Sequence, residues 1–307
     1  MEAILAFETN TGYIPGSNPI LEPNALNDWE STDVRDPYVV EFDGLYYMFY
    51  AGQDLNGAPS IGYATSENGR KWYRTDQNPI LSGSGSGFDG YGVTAPVVRV
   101  ENGLWVMYYA ALETEGGRST SIGRATAESP DGPWTRSEAP IFKTSESPAW
   151  DSLSLTTGSV VDVNGRMRLY YSGFSEDGQI GIGYAESANG ITWAKRSEPV
   201  MTGANPGEWD EIVYAPFVQV HDGMWEMFYH GDPISSRSSN EIGLGLATST
   251  DGVNWIHASE SFLVSREAGR FPHTPAAFTM GDFIYVYYAS VASGGTSGQI
   301  EIAILPK

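Results

Sequence analysis

Asp36 is the first residue of the chain whose surroundings suggest chemistry. Arg35 precedes it, Pro37 follows it, and Asp33 lies just upstream. A guanidinium beside a carboxylate favours the ionised acid, which suits a base or a nucleophile. The alternative is a salt bridge that only locks the mouth of a channel. Far along the chain, His273 stands in a comparable setting, followed by Thr274 and Pro275. An imidazole there could shuttle protons, ligate a central ion, or sit hydrogen-bonded in a core. Glu211, next to Asp210, is a further candidate acid.

A repeat brings these residues into one frame. Pro37, Pro96, Gly158, Pro216 and Pro275 are separated by 59, 62, 58 and 59 residues. After each comes a strand dense in Tyr, Phe, Trp or Met, such as Tyr46-Tyr47-Met48-Phe49-Tyr50. Asp43-Gly44, Asn102-Gly103, Asn164-Gly165 and Asp222-Gly223 precede four of these strands. Such dipeptides favour tight hairpin turns. A third strand of the type Ile61-Gly62-Tyr63-Ala64-Thr65-Ser66 follows, and then Trp72, Trp134, Trp193 or Trp255. A fixed long period of strand-rich units means a radial or stacked repeat. Four short antiparallel strands per unit make a propeller blade.

The predicted fold is therefore all-β, a five-bladed propeller forming one domain over residues 1–307. The last unit lacks its outer strand. Asn18-Pro19-Ile20-Leu21 matches Asn78-Pro79-Ile80-Leu81, so the N-terminal segment is expected to complete that blade and leave no open edge. The recurring Trp residues are expected to pack between blades. Trp29-Glu30, Phe88-Asp89, Trp150-Asp151 and Trp209-Asp210 recur in the same way and are also expected to be structural.

Residues just before each anchor should converge on the axis at one face, where a funnel is the default ligand site. The expected lining is Asp33, Arg35 and Asp36, then Tyr91 and Thr94, then Ser154, Thr156 and Thr157. Blade four adds Glu211 and Tyr214, and blade five adds Arg270 and His273. A residue that recurs serves the frame, whereas one found in a single blade has another reason. Asp36 is of the second kind, because the other blades carry Ala95, Thr157, Ala215 and Thr274 at its position.

Composition narrows the partners. The net charge of −21 repels phosphate backbones and anionic lipid, so neither nucleic acid nor a membrane is an expected partner. A small-molecule or oligosaccharide substrate is expected instead. With no cysteine, thiolate metal sites and a Cys nucleophile are excluded. No cofactor or metal is expected from the motifs present. Residues 1–10 lack the basic start and long apolar run of a leader, and no stretch is long enough to cross a bilayer, which predicts a soluble protein.

Asp36-Pro37, the aromatic strand after it and Ile61–Ser66 together resemble the five-bladed propeller glycosidases. These are the arabinanases and xylosidases of glycoside hydrolase family 43 and their fructosidase relatives. The resemblance spans essentially the whole chain. It implies three carboxylates around the channel: an Asp-Pro general base, an Asp that tunes the acid, and a Glu that donates the proton. Asp36 matches the first. Thr156 and Tyr214 stand where the other two belong, and His273 matches a His that in the family lies near a central ion or water. Arg35-Asp36-Pro37 is similar to the Arg-Asp-Pro motif of the fructosidases, which there sits in a later blade.

Glycoside hydrolysis normally needs two carboxyl groups across the scissile bond. The leading expectation is a glycosidase-like enzyme with Asp36 as base or nucleophile and Glu211 or His273 as acid. Arg35, Thr156 and Tyr214 would orient the sugar. The alternatives are a carbohydrate-binding propeller without catalysis, or a different acid–base enzyme for elimination or cyclisation on the same scaffold.

Overall fold

The computed structural model describes residues 14–15, 18–221, 223–234, 242–257, 264–265, 269–295 and 297–307. Five antiparallel sheets form the blades of a propeller. Their innermost strands are Asp33–Phe42, Gly92–Glu101, Ser154–Val163, Ile212–His221 and Arg270–Met280. Each pairs with the aromatic strand that follows it, and that strand pairs with a third. The outer edge is short, two residues at Tyr73–Arg74 and at its equivalents.

The hairpin dipeptides do what their composition dictates. Asp43, Asn102 and Asn164 have φ of 52°, 51° and 48°, and the glycines after them are also positive. Two successive left-handed residues are the type I′ signature that matches strand twist. Asp222 of the fourth dipeptide lies outside the described residues.

The ring closes as its sequence match requires. Ile14–Pro15 pairs antiparallel with the last strand, Gly298–Pro306, and Leu21 bridges Ile300. Asn18 clasps that strand through both ends of its amide, donating to the Ile302 carbonyl and accepting from the Ile302 N–H. Asn78 does the same to Tyr63 in blade one. The N-terminal segment thus supplies the outer edge of blade five.

The repeated aromatics tie one blade to the next. Trp72 meets Tyr287 edge-on, Trp134 meets Phe49, Trp193 meets Tyr108, and Trp255 meets Tyr170. In every case the partner belongs to the adjacent blade. The repeated acids are buried at the outer side of the aromatic strands. Glu30, Asp89, Asp151 and Asp210 accept hydrogen bonds from Tyr50, Tyr109, Tyr171 and Tyr229 at 2.8–3.0 Å. Each also faces a cation or imidazole: Arg74, Arg136, Lys195 or His257. A buried carboxylate needs a compensating charge and hydrogen-bond donors, and each acid has both, Asp151 through its Oδ2 alone. The acids are frame, not site.

Burial alone would push the Asp151 carboxyl up. Hydrogen bonds from Lys195, Ser145 and Tyr171 outweigh it and hold the group below its usual range. A carboxylate depressed in the folded state contributes stability above its unfolded value near ~4, lost as pH falls through the folded value. Asp151→Asn is therefore expected to lower stability at neutral pH by about 2 kcal/mol, below the fully buried case because Lys195 reaches solvent. Its deficit should shrink below about pH 4. Urea unfolding of both proteins across that range checks this. A deficit that stays constant in acid would show that the ion pair is not its source.

Candidate functional site

The five anchors converge because each inner strand breaks its pairing there. The register skips between Arg35 and Tyr38, Thr94 and Val97, Tyr214 and Phe217, and His273 and Ala276. In these four blades the residue before the anchor proline is left-handed. Asp36, Ala95, Ala215 and Thr274 have φ between 43° and 55°. That conformation is costly for a non-glycine residue, and such strain gathers at functional sites. Blade three carries a smaller bulge, between Thr157 and Ser159. Its anchor is Gly158 because a Cβ there would collide with the Pro216 carbonyl oxygen of the next blade.

The result is a ring of five equivalent positions, Arg35, Thr94, Thr156, Tyr214 and His273, with Asp36 one step further along its strand. Four of them, Arg35, Thr94, Thr156 and Tyr214, line a cavity of about 250 Å³. Tyr38 forms its floor. Its ring meets Phe217 at 5.7 Å, and blades one and four are not neighbours, so this contact crosses the axis and closes the channel. Burial pushes the Tyr38 hydroxyl up to about 12.

Asp36 is the sole carboxylate among the described residues lining this cavity. Its Oδ2 accepts from the Thr94 hydroxyl at 2.7 Å and from the Ala95 N–H at 3.2 Å, both from the adjacent blade. Oδ1 is left for a ligand. Arg35 lines the same mouth with its side chain 41% exposed. Its Nη2 is held by Asp33 and, at 3.0 Å, by Gln53 Oε1. Asp33 lies behind Arg35 rather than in the lining. Burial pushes its carboxyl up, against the pull of Arg35, and the Gly298 N–H donates to it.

The other expected residues divide. Thr94, Thr156 and Tyr214 line the cavity. His273 packs behind Tyr214, whose hydroxyl lies 3.4 Å from His273 Nδ1. Glu211 is not in the lining; one of its carboxylate oxygens accepts from the Gly207 N–H of its own loop. Arg270 is engaged within blade five, donating to Ser290 and to the Ser297 carbonyl. The Tyr91 hydroxyl donates to the Asn56 carbonyl outside the cavity. Among the described residues no group of three His, Asp or Glu could hold a metal ion.

His230 is a residue that the sequence did not single out. It is fully buried and stacks on His273 at 4.2 Å and against Tyr214 at 4.3 Å between ring centres. Its Nδ1 lies 2.9 Å from the Pro272 carbonyl, which can only accept, so Nδ1 carries the proton. The signal was present. The equivalent residues in the other blades are Ala51, Ala110, Ser172 and Ala289, so His230 breaks the repeat as Asp36 does.

No family model matches the chain. Over 305 residues it is 22% identical to the 1,2-beta-oligomannan phosphorylase of Thermoanaerobacter sp. (strain X514), with 94% of each chain covered. It superposes on BT0996, solved as an RGII complex, with a TM-score of 0.80 at 19% identity, covering 99% of this protein and 94% of that one. A structure from the GH130 family of mannoside phosphorylases, which contains glycoside hydrolases that target β-1,2 mannosidic linkages in Candida mannan, gives a TM-score of 0.75 at 18% identity. There 95% of this protein and 93% of that one are covered. The chain has the fold of the five-bladed propeller glycoside hydrolases. The sequence resemblance is thus matched at the level of architecture.

Burial pushes His273 down to about 4, with Arg35 adding to the shift, and burial pushes His230 down as well. A histidine depressed in the folded state binds its proton first in the unfolded chain. Stability is then full above about pH 6.5 and falls as pH drops toward 4. His273→Gln should flatten this fall, by up to ~1.4 kcal/mol per pH unit where the two proteins differ most. Urea midpoints across that window read it. An unchanged slope would mean that the imidazole is not held neutral.

Proposed function

We propose that the chain is an enzyme acting on a glycosidic bond of an oligosaccharide in the funnel, with Asp36 exchanging the proton at the glycosidic oxygen. The observation that carries this reading is the isolation of Asp36. Among the described residues one carboxylate faces the cavity, its Oδ2 is occupied by two donors from the next blade, and hydroxyls and aromatics complete the wall. An aromatic and threonine-lined concavity with one fixed polar group suits a sugar ring. Thr94 and the Ala95 N–H orient the carboxyl so that Oδ1 is the atom that gives or takes the proton.

A lone carboxylate has a consequence for the nucleophile. Water attacking a sugar needs a second carboxyl to remove its proton. An oxyanion such as inorganic phosphate does not. The glycosidic C–O bond breaks, a phosphate oxygen bonds to the anomeric carbon, and the leaving oxygen takes the Asp36 proton. The proton is made good by hydrogen phosphate, so charge and atoms balance. Arg35 at the mouth offers guanidinium N–H groups beyond those held by Asp33 and Gln53. The phosphorylase relative supports phosphorolysis over hydrolysis. β-Mannosides are accordingly the first substrates to try.

The test is turnover of aryl glycosides and β-mannooligosaccharides with and without inorganic phosphate, by wild type and Asp36→Asn. The expected result is phosphate-dependent release of a sugar 1-phosphate, reduced about 10³-fold by the substitution. No turnover of any glycoside would overturn the enzyme reading. Turnover that survives Asp36→Asn would overturn the site.

A further inference from the structure

A second cavity, of about 150 Å³, opens beside the funnel between blades one and two. Ala51, Gly52, Gln53 and Pro59 supply the blade-one wall, and Thr94 and Leu112 the blade-two wall. Arg35 and Thr94 line both cavities. Asp36 adjoins Arg35 in the chain and is hydrogen-bonded to Thr94, so it stands at the junction of the two.

From this juxtaposition we infer that the smaller cavity holds a second sugar unit, so that the glycosidic oxygen of an oligosaccharide lies at Asp36. The inference rests on the function proposed above and assigns its acceptor side. The chemistry of the wall fits. Ala51, Pro59 and Leu112 give an apolar floor for the C–H face of a pyranose. Gln53 and Arg35 give a polar rim for its hydroxyls, the combination by which concave sites fix orientation.

The wall is held by its own hydrogen bonds. Gln53 accepts from Arg35 through Oε1 and donates through Nε2 to the Gly57 carbonyl at 2.7 Å. The loop that carries Gly57 is folded on Asp54, whose Oδ1 accepts from the Asn56 and Ala58 N–H groups at 2.9 Å. Tyr91 braces it from blade two through the Asn56 carbonyl. Gly57 has φ +82°, and a Cβ there would lie 3.3 Å from Gln53 Nε2. A preformed wall lowers the ordering penalty of binding.

The experiment is calorimetric titration in an Asp36→Asn background, which suppresses turnover, with matched pairs: mannose and β-1,2-mannobiose, glucose and cellobiose, arabinose and arabinobiose. For at least one pair the disaccharide is expected to bind about tenfold more tightly than its monosaccharide. Leu112→Trp, which fills the cavity, should abolish that preference, with thermal melting confirming the fold. Gln53→Ala, which removes the rim, is the second variant and should weaken the preference. A preference that survives both substitutions, or disaccharides that bind no better than monosaccharides, would overturn the second subsite and leave the funnel reading standing. Failure of every sugar to bind would overturn both.

Discussion

The molecule depends on one backbone constraint applied at each blade. The inner strand must turn at the axis, and in four blades it does so by forcing a non-glycine residue into the left-handed region directly before a proline. That conformation is unfavourable for an L-residue and is sustained only by what surrounds it. The surroundings are the closed ring, the edge-on aromatic contacts between blades, and the charge-paired acids behind them. In return, each skip in register turns a side chain from the sheet toward the funnel. Asp36 is one of the left-handed residues, so its placement and the strain share one cause.

The same frame explains why the funnel is chemically asymmetric on a symmetric scaffold. Five equivalent positions carry a guanidinium, two hydroxyls, a phenol and an imidazole. Arg35 is fixed by the buried Asp33, while Tyr214 is backed by two stacked imidazoles that burial keeps neutral. Arg35 stands on blade one and Tyr214 on blade four, which are not neighbours, and the carboxylate lies between Arg35 and Thr94. The floor made by Tyr38 and Phe217 closes the channel below them. A ligand can therefore enter from one face, with Asp36 in its path.

Much of this was legible in the sequence, for physical reasons. The period, the hairpin dipeptides and the match of Asn18-Pro19 to Asn78-Pro79 report local turn and edge chemistry, and local chemistry survives in a linear reading. Asp36, Arg35, Thr94, Thr156 and Tyr214 were found because the anchors index the axis. Glu211, Tyr91 and Arg270 sit further from the anchors. There a small change in loop path decides whether a side chain faces the funnel or its own loop, and no pattern in the residues encodes that path. His230 was missed although it breaks the repeat, because it lies on the second strand rather than beside an anchor. Tyr38 was hidden by the bulge, which shifts the inward and outward alternation that strand patterns are read by. Gly158 was recognisable as an anchor, but its reason, the approach of the Pro216 carbonyl, exists only in three dimensions.

The chemistry proposed for the funnel turns on Asp36 being the group that meets the bond to be broken. A crystal structure of Asp36→Asn with a bound oligosaccharide tests this most directly. The expected result is a glycosidic oxygen within about 3 Å of the residue-36 side chain, with one sugar over the Tyr38 floor and the next against Leu112. An oligosaccharide held elsewhere on the propeller, or one whose glycosidic oxygen lies far from residue 36, would contradict it.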